Sequence, residues 1–103
     1  MLTATNPYTG QEILKYEALN EQGVNITIAK AVNAFDSWRT MPIQQRAEIL
    51  KSVAASLRRN KPLLSKLMAE EMGKPVNEGG PEVEKAAWCA EFYAEHAEAY
   101  LSN

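Results

Sequence analysis

The side chains best suited to catalysis lie near the end of this sequence. Cys89 is the single cysteine and His96 the single histidine, and both fall within the run AAWCAEFYAEHAEAYL. A cysteine acts as a nucleophile when a helix N-terminus, a cationic neighbour or a base stabilises its thiolate. Cys89 lies in the middle of a helical pattern beside Trp88 and Glu91. We therefore interpret it as a buried helical cysteine and not as a nucleophile.

Histidine and carboxylates together could bind a metal or transfer protons. His96 lies between Glu95 and Glu98, but a metal site needs convergent ligands at a recognisable spacing, which this run lacks. A general acid–base pair needs a cleft that shifts its pKa values, and the pattern indicates none. We interpret His96 as a surface histidine on an acidic helix. The eight glutamates of this half are interpreted as ordinary charged surface: Glu70, Glu71, Glu78, Glu82, Glu84, Glu91, Glu95 and Glu98.

The pair Gly79-Gly80 is the one stretch that could suggest a phosphate-binding loop. It lacks the glycine spacing and the Lys-Ser/Thr of a P-loop, and no dinucleotide-binding glycine pattern follows a predicted strand. We interpret residues 79–81, Gly-Gly-Pro, as a hinge or turn. The residues taken by themselves therefore predict no catalytic, cofactor-binding or metal-binding side chain.

The elements that hold these side chains are predicted to be a hairpin followed by helices. Residues 1–20 form a β-hairpin around Asn6-Pro7-Tyr8-Thr9-Gly10, because Pro7 and Gly10 favour a turn. Residues 21–103 form a helical region. The fold is thus mostly α, a bundle of about four helices with an N-terminal hairpin that needs a surface to lie on.

Four helices follow from the spacing of the apolar residues. The first carries one stripe at spacings of three and four, and Met41-Pro42 ends it. The second runs from about Pro42 to Arg59, and the third opens at Pro62 and ends at Gly73. The fourth is predicted to start at Pro81. The stripe of the first helix and the inward residues of the third are Val24, Ile28, Ala31, Phe35 and Trp38, and Leu63, Leu64, Leu67, Met68 and Met72.

The last helix is apolar on two sides. A helix of this kind is normally buried on both of them. Its first stripe is Val83, Ala86, Ala87, Ala90, Tyr93 or Ala94, Ala97 and Leu101, and its second is Trp88, Cys89 and Phe92.

Composition excludes several classes of protein. A net charge of -2 and a pI of about 5.4 give no basis for nucleic-acid binding, which needs clustered cations on one face. No apolar run reaches the roughly 20 residues of a membrane span. The polar opening MLTATNPYTG is no signal peptide, so a cytoplasmic protein is predicted. The basic residues of the middle are interpreted as a solvated or ion-paired face: Arg46, Lys51, Arg58, Arg59, Lys61 and Lys66.

Four motifs in order resemble one enzyme family. They are Asn-Pro-x-Thr-Gly, Ala-Phe-x-x-Trp-Arg, Pro-x-x-x-Arg-Ala and Glu-Met-Gly-Lys-Pro, and they span essentially the whole chain. Each is weak alone, but the ordered set closely resembles the N-terminal segment of the NAD(P)-dependent aldehyde dehydrogenases, most of all the succinate-semialdehyde dehydrogenases. The family's glycine motif, cysteine nucleophile and general-base glutamate have no match here.

The resemblance implies a scaffold that is inactive alone and binds no cofactor itself, although the full-length family uses NAD(P). One departure is Glu78-Gly79-Gly80-Pro81, where the family continues with helix-forming residues. Interior glycines cost about 1 kcal/mol each and an interior proline about 3 kcal/mol. A broken or shortened helix is therefore predicted there.

The alternative function is a non-enzymatic helical module that associates with itself or with a partner. Its surplus of apolar side chains favours an interface. We expect a homo-oligomer, most simply a symmetric dimer, or binding to the remainder of the enzyme. Domain swapping through residues 79–81 is a further possibility.

Overall fold

A computed structural model describes residues 1–102 as two strands and four helices. This confirms the predicted fold class of four helices with an N-terminal hairpin. The elements are β1 (Leu2–Thr5), β2 (Glu12–Tyr16), α1 (Glu21–Trp38), α2 (Ile43–Arg59), α3 (Lys61–Met72) and α4 (Val76–Leu101).

The hairpin turns where the sequence predicts. β1 and β2 are antiparallel, with Leu2 opposite Tyr16 and an irregularity in register after Ala4. The Asn6 side-chain Oδ1 accepts hydrogen bonds from the backbone N–H groups of Tyr8 (2.8 Å) and Thr9 (3.2 Å). This local bonding closes the loop without a strained peptide, since an asparagine side chain can replace a backbone turn acceptor. The first strand lies against α3.

Helix α1 is well capped but poorly packed. The Asn20 Oδ1 accepts a hydrogen bond from the Gly23 backbone N–H at 2.7 Å, which satisfies one of the free donors of the first turn. None of its residues is buried, and it makes no extensive contact with another element of the described chain. Its apolar stripe is therefore present but uncovered.

Helices α2 and α3 begin at prolines, as predicted. Pro42 precedes α2, and α3 carries Pro62 in its first turn. Gly73 ends α3 in the left-handed conformation with φ 71°, which glycine adopts without steric cost.

The inward face of α3 differs from the prediction. Ser65 is the buried residue, and Leu64 and Met68 are half-buried beside it. Leu63, Leu67 and Met72 are exposed, so their predicted inward orientation is wrong. The reason is that α4 approaches α3 so closely that only a small side chain fits between the two helices.

The core lies where α4 crosses α2 and α3. Its buried apolar residues are Ala54 of α2 and Val83, Ala87 and Ala94 of α4. All four are small or medium in size, so the helices pack closely while little apolar surface is removed from water. Of the first predicted stripe of α4, Val83, Ala87 and Ala94 are buried and Ala90 and Ala97 are half-buried, whereas Ala86 and Leu101 are exposed and their predicted burial is wrong.

The helix α4 runs unbroken through Gly79-Gly80-Pro81, so its predicted start at Pro81 and the predicted break are wrong. Gly79 is buried, and a Cβ at this position would come 3.2 Å from the Ser65 Cα, so α3 and α4 approach each other closely here. Pro81 lies in the second turn, where its missing N–H frees the carbonyl of Asn77, an exposed residue. The glycine therefore serves a close helix crossing. A hinge motion at 79–81 stays a prediction.

Candidate docking surface

Helix α4 has a packed face and, opposite to it, an aromatic face. Val83, Ala87 and Ala94 point to the core, whereas Trp88, Phe92, His96 and Tyr100 recur every four residues. Residues four apart lie above one another on a helix, so these four side chains form one row, named here the aromatic row. Trp88 and Tyr100 are 61% and 62% exposed, so nothing in the described chain covers its two ends.

His96 belongs to the aromatic row, and that it has no acid–base role stays a prediction. Its ring stacks on Phe92, with centroids 4.3 Å apart and planes at 24°, and on Tyr100 at 5.8 Å and 22°. Its Nδ1 lies 2.7 Å from the Phe92 carbonyl oxygen and donates to it. The ring is half-buried, so its interpretation as a surface histidine needs correction. The stacking holds the ring between two aromatic neighbours.

Cys89 is exposed, so its predicted burial is wrong. The packed face of α4 is centred on Ala87, and Cys89 turns away from it beside Trp88. It lies in mid-helix, far from the N-terminal end that would stabilise a thiolate. That it has no catalytic role stays a prediction.

A second uncovered surface is a groove of about 340 Å³ between α2 and α4. Trp38, the last residue of α1, lines it, and Arg46 supplies the one charged side chain of its lining. The residues that line this α2–α4 groove are Trp38, Ile43, Arg46, Ala47, Ile49, Leu50, Val53, Tyr93, Ala94 and Ala97. A groove lined mainly by apolar side chains favours an apolar helix or loop as its occupant.

The apolar stripe of α1 is continuous with this groove through Trp38. The exposed fractions along the stripe are 42% for Val24, 56% for Ile28, 59% for Phe35 and 40% for Trp38. Monomeric proteins rarely leave contiguous apolar surface of this extent in water. The stripe and the groove together form one uncovered apolar surface, named here the docking surface.

An ion-pair cluster holds α4 against the α2–α3 junction. The Arg58 Nε donates to Glu84 at 3.0 Å, the Lys61 Nζ donates to the same carboxylate at 2.7 Å, and Arg58 also pairs with Glu91. The hydrogen bonds from Lys61 and then Arg58 lower the pKa of Glu84, while those to Glu91 and Glu84 raise the pKa of Arg58. These side chains are partly exposed, so the cluster orients the helices more than it stabilises them.

The predicted basic face is largely ion-paired, as expected. Besides Arg58 and Lys61, Lys51 pairs with Glu48 at 3.2 Å and Lys66 with Glu70 at 3.7 Å. These cations are therefore engaged with carboxylates of their own chain.

The residues described do not fit a dinucleotide. Their sheet consists of two antiparallel strands, β1 and β2, whereas a dinucleotide site needs a glycine-rich turn between a parallel strand and a helix. Gly79-Gly80 lies inside α4, and Gly79 faces Ser65. No step of cofactor chemistry is assigned to this part of the chain.

Residues 1–102 contain neither a cluster of metal ligands nor a membrane-spanning helix. No group of three or more histidine, cysteine, aspartate or glutamate side chains converges as metal ligands in this range. Within the same range, every helix is too short or too polar to cross a membrane.

Comparison with known proteins identifies similar sequences and structures. The sequence model described as "Aldehyde dehydrogenase family" matches residues 1–103. A probable succinate-semialdehyde dehydrogenase (NADP+) of Synechocystis sp. is 34% identical over 102 residues, which are 99% of this chain and 22% of that protein. A succinate semialdehyde dehydrogenase (NAD(P)+) of Escherichia coli is 32% identical over 96 residues, 93% of this chain and 21% of that protein.

Solved structures are similar over the same extent. The succinic semialdehyde dehydrogenase of Streptococcus pyogenes, in complex with NADP+, matches with a TM-score of 0.90 and 28% identity, covering 97% of this chain and 22% of that one. The chain spans about a fifth of the length of the relatives it matches. A match of 97% includes residues beyond Gly79-Gly80-Pro81, so this stretch does not divert the fold from that of its relative.

Proposed function

Because this chain belongs to the aldehyde dehydrogenase family, we propose that it is the helical scaffold segment of an NAD(P)-dependent succinate-semialdehyde dehydrogenase and is inactive alone. The observation that carries the proposal is the uncovered docking surface, the α1 stripe together with the α2–α4 groove. A segment that makes up about a fifth of its relatives leaves such surfaces for the remaining four-fifths to cover.

The proposed whole-protein reaction converts an aldehyde, NAD(P)+ and water into a carboxylate, NAD(P)H and two protons. The hydride that leaves the aldehyde carbon reduces the cofactor, and water supplies the second carboxylate oxygen. The 103 residues take no chemical step in this proposal, and none is assigned as a catalytic, cofactor-binding or metal-binding residue. Their part is to hold α2, α3 and α4 together through the small-residue core and the Arg58–Glu84 cluster.

A turnover assay on the purified chain tests the inactivity. The chain is mixed with succinate semialdehyde and either NAD+ or NADP+, and NAD(P)H absorbance is followed. No aldehyde-dependent signal is expected, because the described residues form no dinucleotide site. Turnover by the chain alone would contradict the proposal.

Complementation tests the scaffold role. The Synechocystis relative, deleted for the segment that this chain matches, is co-expressed either with its own segment or with this chain. We expect both to restore aldehyde-dependent NADPH formation. Ala87→Glu, which buries a charge at the fully buried centre of α4, is the negative control. Recovery with the relative's own segment but not with this chain would contradict the proposed scaffold role.

The non-enzymatic alternative gains no support from the comparisons, because the relatives and solved structure described above are dehydrogenases. The cytoplasmic location remains part of the proposal. Its support is the single cysteine, since extracellular proteins of this size commonly depend on several disulfides.

A further inference from the structure

Helices α2 and α3 meet at an elbow that consists of a single residue, Asn60. Pro62 enforces the break, because a proline ring clashes with the carbonyl four residues before it, here that of Arg58, and prevents α2 from continuing straight into α3. The Asn60 Nδ2 donates to the Ser56 carbonyl oxygen at 2.8 Å, and the Asn60 carbonyl oxygen accepts from the Leu64 N–H at 2.9 Å. Each of these bonds joins Asn60 to one helix, so neither ties α2 to α3.

Direct packing between α2 and α3 does not fix the elbow either. The two helices make little contact with each other, and α4 instead packs along both, with Gly79 beside Ser65 of α3 and Ala94 on the α2 side. The residues buried between these helices are glycine, alanine, serine and valine, and none is large. Small side chains permit a close approach, but they interlock less than large ones, so the angle needs a directional contact.

Glu84 of α4 supplies that contact. Its Oε2 accepts a hydrogen bond at 3.0 Å from the Nε of Arg58, in the last turn of α2. Its Oε1 accepts another at 2.7 Å from the Nζ of Lys61, the first residue of α3. One carboxylate therefore uses both of its oxygens, one for each side of the elbow. Hydrogen bonds between ionised groups are short and geometrically specific, so the two bonds fix Lys61 relative to Arg58.

Two other carboxylates of α4 lack this bridging geometry. Glu91 lies about two turns further along the helix, and its ion pair within residues 1–102 is with Arg58 on the α2 side. Glu82 pairs with Lys74, which lies in the loop that joins α3 to α4. Neither pair crosses the elbow, so the two residues are matched comparisons for Glu84.

We propose that Glu84 is a positioning residue that braces the α2–α3 elbow and so fixes the placement of the hairpin relative to α2. The hairpin lies against α3, through β1 and through the approach of Pro7 to Gly73. Without the brace, α3 and the hairpin therefore move together about Asn60, while the helices themselves are kept. All of these contacts lie inside the chain, so the brace acts whatever covers the docking surface and independently of the proposed enzyme.

The distance between α2 and α3 tests the brace, measured by pulsed electron paramagnetic resonance between two spin labels on the purified chain. In a Cys89→Ser background, Ser52→Cys on α2 and Met72→Cys on α3 place the labels at exposed positions. A single narrow distance distribution is expected for this reference chain. Glu84→Gln is expected to widen the distribution, because an amide keeps one acceptor oxygen and no charge and so does not hold both cations.

Lys61→Met removes the bond on the α3 side alone. It is expected to widen the distribution as far as Glu84→Gln does, with no further widening in the double variant. Glu91→Gln and Glu82→Gln are the controls and are expected to keep the narrow distribution. Far-UV circular dichroism is expected to be unchanged throughout, and Lys61→Met decides alone if Glu84→Gln does not fold. A distribution that stays narrow in a folded bridging variant, or that widens equally in Glu91→Gln, would overturn the brace.

Discussion

Pro7 and Gly73 lie close together, although 66 positions separate them in the chain. A Cβ on Gly73 would come 3.1 Å from the Pro7 Cγ, and Gly73 has a φ of 71°. Pro7 belongs to the hairpin loop and Gly73 to the C-terminal end of α3, so this contact fastens the hairpin to the helices. Pro7 belongs to the motif Asn-Pro-x-Thr-Gly and Gly73 to the motif Glu-Met-Gly-Lys-Pro. These two motifs of the family resemblance therefore share a structural role, which is to hold the hairpin against α3.

Gly73→Ala is expected to lower the free energy of unfolding by about 2 kcal/mol, because a left-handed alanine costs 1–2 kcal/mol and its Cβ also presses on Pro7. Urea denaturation measures the loss. Gly10→Ala is the matched control, since Gly10 also has positive φ (76°) but has no atom within 4 Å of its Cβ position. Adding Pro7→Ala to Gly73→Ala should recover part of the loss. Equal costs at positions 10 and 73 would argue against the contact.

Gly79 and Gly80 are expected to respond oppositely to alanine. Gly80→Ala should raise the free energy of unfolding by about 1 kcal/mol, since alanine is the better helix former and the nearest atoms lie 3.9 Å away. Gly79→Ala should lose this gain or become destabilising, because its Cβ would lie 3.2 Å from the Ser65 backbone. Thermal denaturation of the two variants compares them directly. A Gly79→Ala protein as stable as Gly80→Ala would show that the helices do not cross closely here.

Gly79 and Gly80 also show which features of the fold the sequence pattern does not predict. The pattern predicted the hairpin, all four helices, the proline starts and the Gly73 cap, because each depends on residues adjacent in sequence. It predicted a break at residues 79–81 because local propensity counts glycine and proline as costs. The structure keeps the helix, and Gly79 lies against Ser65, a residue of another element that periodicity does not reveal.

The docking surface was also predictable only in part, because spacing along one helix does not show which other helix covers it. The stripe of α1 and the two apolar sides of α4 follow from spacing alone. Which side of α4 packs does not, and so Cys89 was expected to be buried but is exposed. Which side of α4 is buried depends on how closely α2 and α3 can approach each side. The small residues around Ala87 permit the closest approach, so that side packs against the other helices.

Acidification is expected to destabilise the protein through Glu84. Its pKa is lowered by the hydrogen bonds from Lys61 and Arg58, so the unfolded chain takes up this proton at a higher pH than the folded chain. The stabilisation is complete above the ordinary glutamate pKa of about 4.3 and is lost as the pH falls through the lowered folded value. Urea midpoints at neutral pH and at about pH 3 measure the change.

Glu84→Gln should flatten that acid dependence, because the amide has no proton to gain. Glu95→Gln, at an exposed position of the same helix, serves as the control and should leave the pH profile close to that of the unmodified chain. If the two variants give the same profile, the carboxylate of Glu84 is not the group that links stability to pH.

The stability of α1 should depend strongly on its cap. Most of the stability of a protein helix comes from packing, and α1, with 18 residues and none buried, lacks packing within the described chain. Asn20→Ala removes the acceptor that lies 2.7 Å from the Gly23 N–H and should cost about 1 kcal/mol. Hydrogen exchange resolved by segment should show faster exchange across α1 and little change in α4. Asn20→Ser, which restores a capping oxygen, should return the protection; unchanged α1 exchange in Asn20→Ala would mean that something other than the cap holds this helix.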